Sequence, residues 1–364
     1  MNRLILILVF FYFALPKYDL FFIPGSLTGF RIQDLISLVL FLLLFDGKIT
    51  RNNLLIIILL TIHCLYSIAI WNNNLSLLGL FRLFEYYAVG LGILHLAEIR
   101  KFNLFFVIIL FYLWVLSILQ YFLILPNFDP GRGLILGREF SGSFGTSAEL
   151  SYFIISALFL LNQVNQKIGM SSYSSLFVLF NGVTAPLLGF LFLYWDHVRR
   201  INYIFGFLIV ISLLVAIYLA RDVFLIGIDF LGAVAESVTT RNATFEELKM
   251  GSSIDVGSQT LSYRIGKWTS SLSLLYQHPI GLIFGFGIYS QGGALDGGVL
   301  RLLFEFGFLF FSILVFLMAR VSLIFLIILL CVNLLFDAYM SSVVMPVLIA
   351  TYLFLRNKKL TATG

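Results

Sequence analysis

Charged residues are scarce in this chain of 364 residues. Asp, Glu, Lys and Arg make up only 11% of it, whereas hydrophobic residues make up 60%. An average soluble domain has about 25% charged and about 45–50% apolar residues. The shortage of charge excludes an ordinary soluble enzyme, a disordered protein and a nucleic-acid-binding protein. The composition predicts an all-α polytopic membrane protein, because a compact soluble fold could not bury so many Phe and Leu side chains.

Cysteine and the common catalytic motifs are scarce or missing as well. The two cysteines, Cys64 and Cys331, lie in apolar segments and predict neither a disulfide framework nor a metal site. No GxxxxGK[ST] motif occurs, which argues against nucleotide hydrolysis. The chain also lacks Asp-x-Asp, HExxH and Gly-x-Ser-x-Gly motifs, and residues 221–300 show no metal-ligand spacing. We therefore expect no metal and no other cofactor.

What the sequence does have is a series of apolar runs, and a spanning helix needs about 20 such residues. The candidate spans are 4–23, 33–46, 54–71, 77–97, 104–125, 149–163, 201–220, 301–319, 321–336 and 341–356. Residues 172–195 form either one further span or a short hairpin. The positive-inside rule favours the hairpin, which places the short basic loops and both termini on the cytoplasmic side. The prediction is one transmembrane domain over 1–364 with about twelve crossings.

Two long segments lie outside the membrane in this topology, 126–148 and 221–300. The first combines five glycines with Arg132 and Arg138, so its backbone and guanidinium groups could bind phosphate oxygens. A flexible loop with solvated charges is the alternative. In the second, residues 262–277 have the spacing of an interfacial helix, with Arg264, Lys267 and Ser271 forming a cationic face toward a headgroup. His278-Pro279 is expected to end that helix.

Several charged residues fall inside or beside the predicted spans. Arg82 and Glu85 are three residues apart, and Arg301 and Glu305 are four apart, so each pair should meet on one helix face. Arg82 either pairs with Glu85 or serves an external anion pocket. Asp296 lies in a Gly-rich turn just before the span that contains Arg301. His278 either satisfies a local carbonyl or has a direct role.

The order of these features resembles the O-antigen polymerase and ligase superfamily of bacterial inner membranes. The similarity begins with arginines in the two external segments. It continues within 263–311, where Tyr-Arg-x-x-x-Trp is followed by His-Pro-x-Gly, a Gly-rich run and Asp. The resemblance implies a GT-C-type glycosyltransferase that works at the periplasmic face without metal. Its substrates would be undecaprenyl-diphosphate-linked oligosaccharides, as donor and acceptor, with a chain-length regulator protein as a further partner. Ligases of the superfamily have a histidine where this chain has Asp296, which favours the polymerase.

The expected chemistry assigns roles to the external charges. Negative charge builds on the departing lipid diphosphate, and fixed guanidinium groups would stabilise it. The candidates for this role are Arg132, Arg138, Arg221, Arg264, Lys267, Arg82 and Arg301. Asp296, or alternatively His278, would accept the proton of the acceptor hydroxyl, and direct displacement would invert the anomeric carbon. The alternatives are a ligase of the same superfamily and a flippase for lipid-linked oligosaccharides.

Overall fold

Eleven helices and one small sheet make up the part of the chain that the computed structural model describes. That part comprises residues 1–15, 19–22, 29–45, 51–121, 124–125, 147–164, 259–290, 298–334 and 341–363. The helices are α1 (Asn2–Ala14), α2 (Ile32–Leu44), α3 (Arg51–Trp71), α4 (Leu75–Glu98), α5 (Phe102–Tyr121), α6 (Ser147–Gln163), α7 (Gln259–Gln277), α8 (Pro279–Phe284), α9 (Gly298–Val321), α10 (Leu323–Leu334) and α11 (Val344–Thr363). The mostly helical architecture confirms the predicted fold class at this level. The segments 126–146, 165–258 and 291–297 lie outside the described residues.

The first helix is shorter than predicted. A single span over 4–23 is wrong, because α1 ends at Ala14 and β1 (Asp19–Phe22) follows. Leu15 is extended, with φ −74° and ψ 136°. The reason is local, since a residue before proline is disfavoured in the α region and Pro16 comes next. Strand β1 pairs antiparallel with β2 (Gly29–Arg31), so the fold includes one two-stranded ribbon that the composition did not predict.

Helix α4 is the centre of the bundle and packs against α1, α2, α3, α5 and α11. Two of its glycines allow this close packing. A side chain at Gly90 would press on Ile349 and the Pro346 carbonyl of α11, and one at Gly92 would press on Val9 of α1. Around them the main core cluster is built from buried aliphatic and Phe side chains of α1, α2, α4, α5, α6 and α11. The core is therefore assembled from segments distant in sequence.

Beside this apolar core, several helices also bury polar side chains while they expose large apolar ones, which is unusual for a soluble bundle. In α2, the buried residues include Gln33, Asp34 and Ser37, whereas Leu35, Leu38 and Leu42 are exposed. In α4, Ser76, Arg82 and Glu85 are buried, whereas Leu77, Phe81 and Phe84 are exposed. Helix α7 follows the same rule, with Lys267, Ser270 and Ser271 buried and Tyr276 exposed. Such a surface suits a hydrocarbon solvent, in which apolar faces need no cover.

Two described helices, α4 and α9, are long and apolar enough to cross a membrane. They agree with the predicted spans 77–97 and 301–319. Helices α1, α2 and α10 have 13, 13 and 12 residues, which is less than the roughly 20 that a full crossing requires. The structure is thus consistent with an all-α membrane protein. The number of twelve crossings and the two long periplasmic loops stay predictions.

The outward apolar faces can be tested with spin labels at Leu42 and Phe316, which are 70% and 64% exposed. In vesicles of full-length protein with Cys64 and Cys331 replaced by Ala, a label at either position should collide more with oxygen than with a water-soluble nickel chelate. The reason is that oxygen partitions into hydrocarbon and the chelate does not. A label at the exposed Lys358 serves as the control and should show the opposite ratio. Chelate-dominated collisions at 42 and 316 would refute lipid contact.

Two contacts define the ends of the bundle. His95 and Asn2 meet through Nε2 and Oδ1 at 3.0 Å, and the Tyr12 hydroxyl donates to Glu85 Oε1 at 2.9 Å. Helices α1 and α4 therefore run antiparallel. We refer to the end where α1 finishes and α4 begins as the outer end. The amino terminus and the basic Arg100-Lys101 turn lie together at the opposite end. Which end faces the cytoplasm stays a prediction of the positive-inside rule.

Helix α9 is broken at Gly307, which has φ 71° and ψ 172°. Before the break, Arg301, Leu302, Phe304, Glu305 and Phe306 are buried. From 308 to 321 every residue is at least partly exposed. The helix therefore consists of a half held inside the protein near the outer end and a half that leans toward the surroundings and packs on α10.

Candidate functional site

A buried ion cluster lies at the outer end, formed by Tyr12, Asp34, Arg82 and Glu85. We refer to these four residues as the Arg82 cluster. Arg82 Nη1 contacts Asp34 Oδ1 and lies 2.7 Å from Glu85 Oε2. Its Nη2 donates to the Gly29 carbonyl in the β-ribbon. All three charged side chains are almost completely buried. One guanidinium therefore holds α2, α4 and the ribbon together.

The carboxylates of the Arg82 cluster are fully paired. The Arg31 backbone amide donates to Asp34 Oδ2 at 2.7 Å, and the Tyr12 hydroxyl donates to Glu85 Oε1. Every carboxylate oxygen of the cluster thus accepts a hydrogen bond, as a buried charge requires. The prediction that Arg82 and Glu85 meet on one helix face is confirmed. Asp34, in another helix, is a second partner that helix spacing could not reveal.

A second polar region surrounds a non-helical stretch of backbone, residues 285–290, which we refer to as the break segment. The Phe286 amide donates to the Phe304 carbonyl at 3.0 Å, and the Gly287 amide donates to the Glu305 carbonyl at 2.9 Å. These carbonyls precede the break in α9. The break segment and the inner half of α9 therefore satisfy each other's backbone, which is the condition for irregular backbone at membrane depth.

Side chains of α3 and α4 complete the hydrogen bonding of this region. His63, Ser67 and Trp71, at intervals of four residues on one face of α3, bond the carbonyls of Glu305, Phe286 and Gly285 respectively. Ser76 of α4 donates to the Ile288 carbonyl at 3.2 Å. A polar stripe on α3 thus supplies donors to carbonyls that a regular helix would have bonded internally.

Glycines are required where the break segment meets α9. Gly285 and Gly287 have φ of 81° and 98°, and Gly307 has φ 71°. A Cβ at Gly285 would overlap the Glu305 carbonyl, and a Cβ at Gly307 would overlap the Gly285 nitrogen. Both the backbone conformation and the close backbone approach therefore exclude other residues. The Gly-rich run that interrupts the apolar sequence is explained by this contact.

Arg301 lies in the first turns of α9 and belongs to the polar region around the break segment. Its Nε lies 2.8 Å from Glu305 Oε1, which confirms the pair predicted from their spacing of four residues. Its guanidinium carbon lies 5.9 Å from the centroid of the Tyr289 ring.

The remaining predicted residues on the described chain lie in or beside α7. Lys267 is 8% exposed and Ser271 is fully buried, so the face expected to meet a headgroup points into the protein. Arg264 lies in the same helix, one turn before Lys267. His278 follows the last residue of α7 and packs its ring against Trp71 and Phe286, with centroid distances of 5.5 and 6.0 Å. The predicted helix end at His278-Pro279 is confirmed, since α8 starts at Pro279.

Four predicted site residues, Arg132, Arg138, Arg221 and Asp296, lie outside the described residues. Their convergence with Arg264 stays a prediction. Within the described ranges, no group of three His, Cys, Asp or Glu side chains is placed to hold a metal ion.

Several residues that build the outer end were not predicted from the sequence. Asp34 could have been found, because a single acid within an apolar run marks a buried partner. Tyr12, His63 and Ser67 gave no such signal, since isolated polar residues are ordinary in apolar helices. Tyr289 was missed because only its positive φ distinguishes it from a packing aromatic.

Comparison with protein-family models, curated proteins and solved structures finds no match to this chain.

Proposed function

We propose that this protein is a membrane glycosyltransferase that polymerises lipid-linked oligosaccharides, of the O-antigen polymerase type. The main support is the ordered set of residues in 263–311, from Tyr263-Arg264 through His278-Pro279 to Arg301. The described part of this stretch is one packed unit, in which α8 contacts both α7 and α9. The unit lies at the outer end of the bundle, opposite the basic turns.

The proposed reaction transfers a growing glycan from undecaprenyl diphosphate to an incoming lipid-linked repeat unit. A hydroxyl oxygen of the acceptor sugar attacks the anomeric carbon of the donor and forms the new glycosidic bond. The bond from that carbon to the diphosphate oxygen breaks, and its electron pair leaves with undecaprenyl diphosphate. The hydroxyl proton goes to Asp296, or alternatively to His278. Arg132, Arg138, Arg221 and Arg264 would stabilise the departing charge. Lys267 is buried and would add positive charge only from inside the protein.

Arg82 and Arg301 are less suited to stabilising the departing diphosphate than arginines without a carboxylate partner would be. Each already contacts a buried carboxylate, so its charge is largely neutralised before any anion binds. Their proposed part is to hold the outer end in shape, which positions α7 and α9. The proposed location is the bacterial inner membrane with the site facing the periplasm, and a chain-length regulator is a proposed partner.

The test is elongation by the purified full-length protein in detergent. The substrate is the lipid-linked repeat unit extracted from source cells that lack the protein. We expect a ladder of longer lipid-linked glycans without any ion gradient. Arg264→Ala and Arg132→Ala should lower the rate by about 100-fold or more, since removing one charge-stabilising donor costs about that much.

The matched control is Lys358→Met, which removes a positive charge at the far end of α11 and should leave the ladder unchanged. Cells that carry Arg264→Ala should retain the protein in the membrane and display single-repeat caps only. Normal ladders from both arginine variants would refute the assigned roles. Loss of even the single-repeat product from lipid A-core would instead identify a ligase.

One observation favours a transporter as the second candidate function. Broken helices with irregular backbone near their centre are common in transporters, and α9 is broken at Gly307 beside the break segment. Sealed vesicles that contain the protein separate the two functions. Translocation of the lipid-linked repeat unit without elongation would favour the transporter, and elongation in detergent would favour the enzyme.

A further inference from the structure

Tyr289 has a backbone conformation that its residue type disfavours. Its φ is 65°, and it precedes Ser290, whose amide donates to the Gly287 carbonyl at 3.1 Å to close a turn. The third position of such a turn favours Gly or Asn when φ is positive. The other described non-glycine residues with positive φ, Asn72 and Arg100, lie within two residues of a helix C-terminus, where this conformation is common. A bulky tyrosine inside a turn needs another reason.

The surroundings of Tyr289 place three kinds of recognition group together. The Arg301 guanidinium lies near its ring. Gly79 of α4 makes room for Ile288 and for the Tyr289 ring, because a Cβ there would overlap Ile288 Cγ2 and lie 3.2 Å from Tyr289 Cδ2. The hydroxyl oxygen of Ser290 is buried, and within the described ranges it has no hydrogen-bond partner. A buried hydroxyl without a partner is costly unless a ligand or water completes it.

The charge balance favours a neutral ligand over an anion. Arg301 is paired with Glu305 at 2.8 Å, so the two charges nearly cancel beside Tyr289. A sugar ring fits this setting, because its C–H face packs on an aromatic ring and its hydroxyls donate and accept hydrogen bonds. The serine hydroxyl can do both in return.

We infer that Tyr289 and Ser290 form a sugar-binding subsite for the glycan of the lipid-linked oligosaccharide. The inference rests on the proposed function only in that the sugar is carried on a polyprenyl diphosphate. Binding at this subsite does not require that the sugar is transferred. The subsite is distinct from the diphosphate-binding role assigned to the arginines of the external segments.

The experiment compares two ligands on the full-length protein in detergent. One is the lipid-linked repeat unit extracted from source cells lacking the protein, and the other is undecaprenyl diphosphate without sugar. The dissociation constant of each is measured from the ligand-dependent rise in the unfolding temperature. Ser290→Ala and Tyr289→Leu, which removes the aromatic face, should weaken binding of the sugar-bearing lipid at least tenfold and change binding of undecaprenyl diphosphate by less than twofold. Ser312→Ala, which removes a hydroxyl from the exposed half of α9, should change neither.

Equal weakening for both lipids would overturn the inference, because the residues would then act on the lipid diphosphate or on the fold. Unchanged binding of the sugar-bearing lipid in Ser290→Ala and Tyr289→Leu would overturn it as well. Elongation by the wild type together with unchanged binding in the variants refutes the subsite alone. Binding that depends on Ser290 without any elongation refutes the polymerase alone. A wild type that binds neither lipid refutes both.

Discussion

Arg82→Met is expected to destabilise the protein by about 3–5 kcal/mol, the range for breaking a buried ion pair by removing one partner. The substitution leaves the carboxylates of Asp34 and Glu85 buried without their shared cation. It also leaves the Gly29 carbonyl without its donor. The loss should appear as a lower unfolding temperature of the purified protein in detergent and as less protein in the membrane.

The effect of uncompensated charge can be separated from lost packing. A triple variant with Arg82→Met, Asp34→Asn and Glu85→Gln removes all three charges at nearly constant volume and should recover much of the stability. Lys358→Met, on an exposed end of α11, should change the free energy of unfolding by no more than about 0.5 kcal/mol. If the triple variant were as unstable as Arg82→Met, the carboxylates would not be the cause.

Gly307→Ala is expected to cost at least about 3 kcal/mol. The backbone at this position has φ 71° and ψ 172°, a region that is almost restricted to glycine and costs about 1–3 kcal/mol for other residues. The added methyl would also overlap the backbone nitrogen of Gly285, which cannot move aside as a side chain can. The measurement is the free energy of unfolding in detergent, read from a denaturant midpoint.

Gly92→Ala is the matched comparison. Gly92 lies inside α4, and the added Cβ would lie 2.8 Å from a methyl group of Val9, so a side chain and not backbone must shift. Alanine is favoured over glycine in a helix by about 1 kcal/mol, which offsets part of that crowding. We expect Gly92→Ala to cost less than Gly307→Ala, at most about 2 kcal/mol. A loss at Gly307 no greater than at Gly92 would show that the break in α9 is not required.

Most helix positions follow from apolar patterning alone. The runs 33–46, 54–71, 77–97, 104–125 and 149–163 correspond to helices that differ by a few residues at their ends. The pattern succeeds because a backbone that water does not solvate must bond within its own helix. It fails at 4–23, where one proline outweighs the hydropathy of the run.

The site was predictable only where partners are close in sequence. The Arg301–Glu305 and Arg82–Glu85 pairs follow from helical spacing. The pairing of Arg82 with Asp34, and of His63 with the Glu305 carbonyl, joins residues 48 and 242 positions apart. No spacing rule reaches across such distances. The side of α7 that carries Lys267 was likewise assigned outward from amphipathicity, whereas the bundle buries it.

By itself the sequence determined a helical chain poor in charge, its apolar segments, and the local ion pairs, because these depend on composition and on neighbours within one or two turns. Only the tertiary structure decided that α9 is broken, that its freed carbonyls are bonded by a polar stripe on α3, and that one guanidinium serves carboxylates of two helices. Hydrogen bonds and ion pairs of buried groups must be satisfied by whatever packs against them, and that neighbour is chosen by the fold.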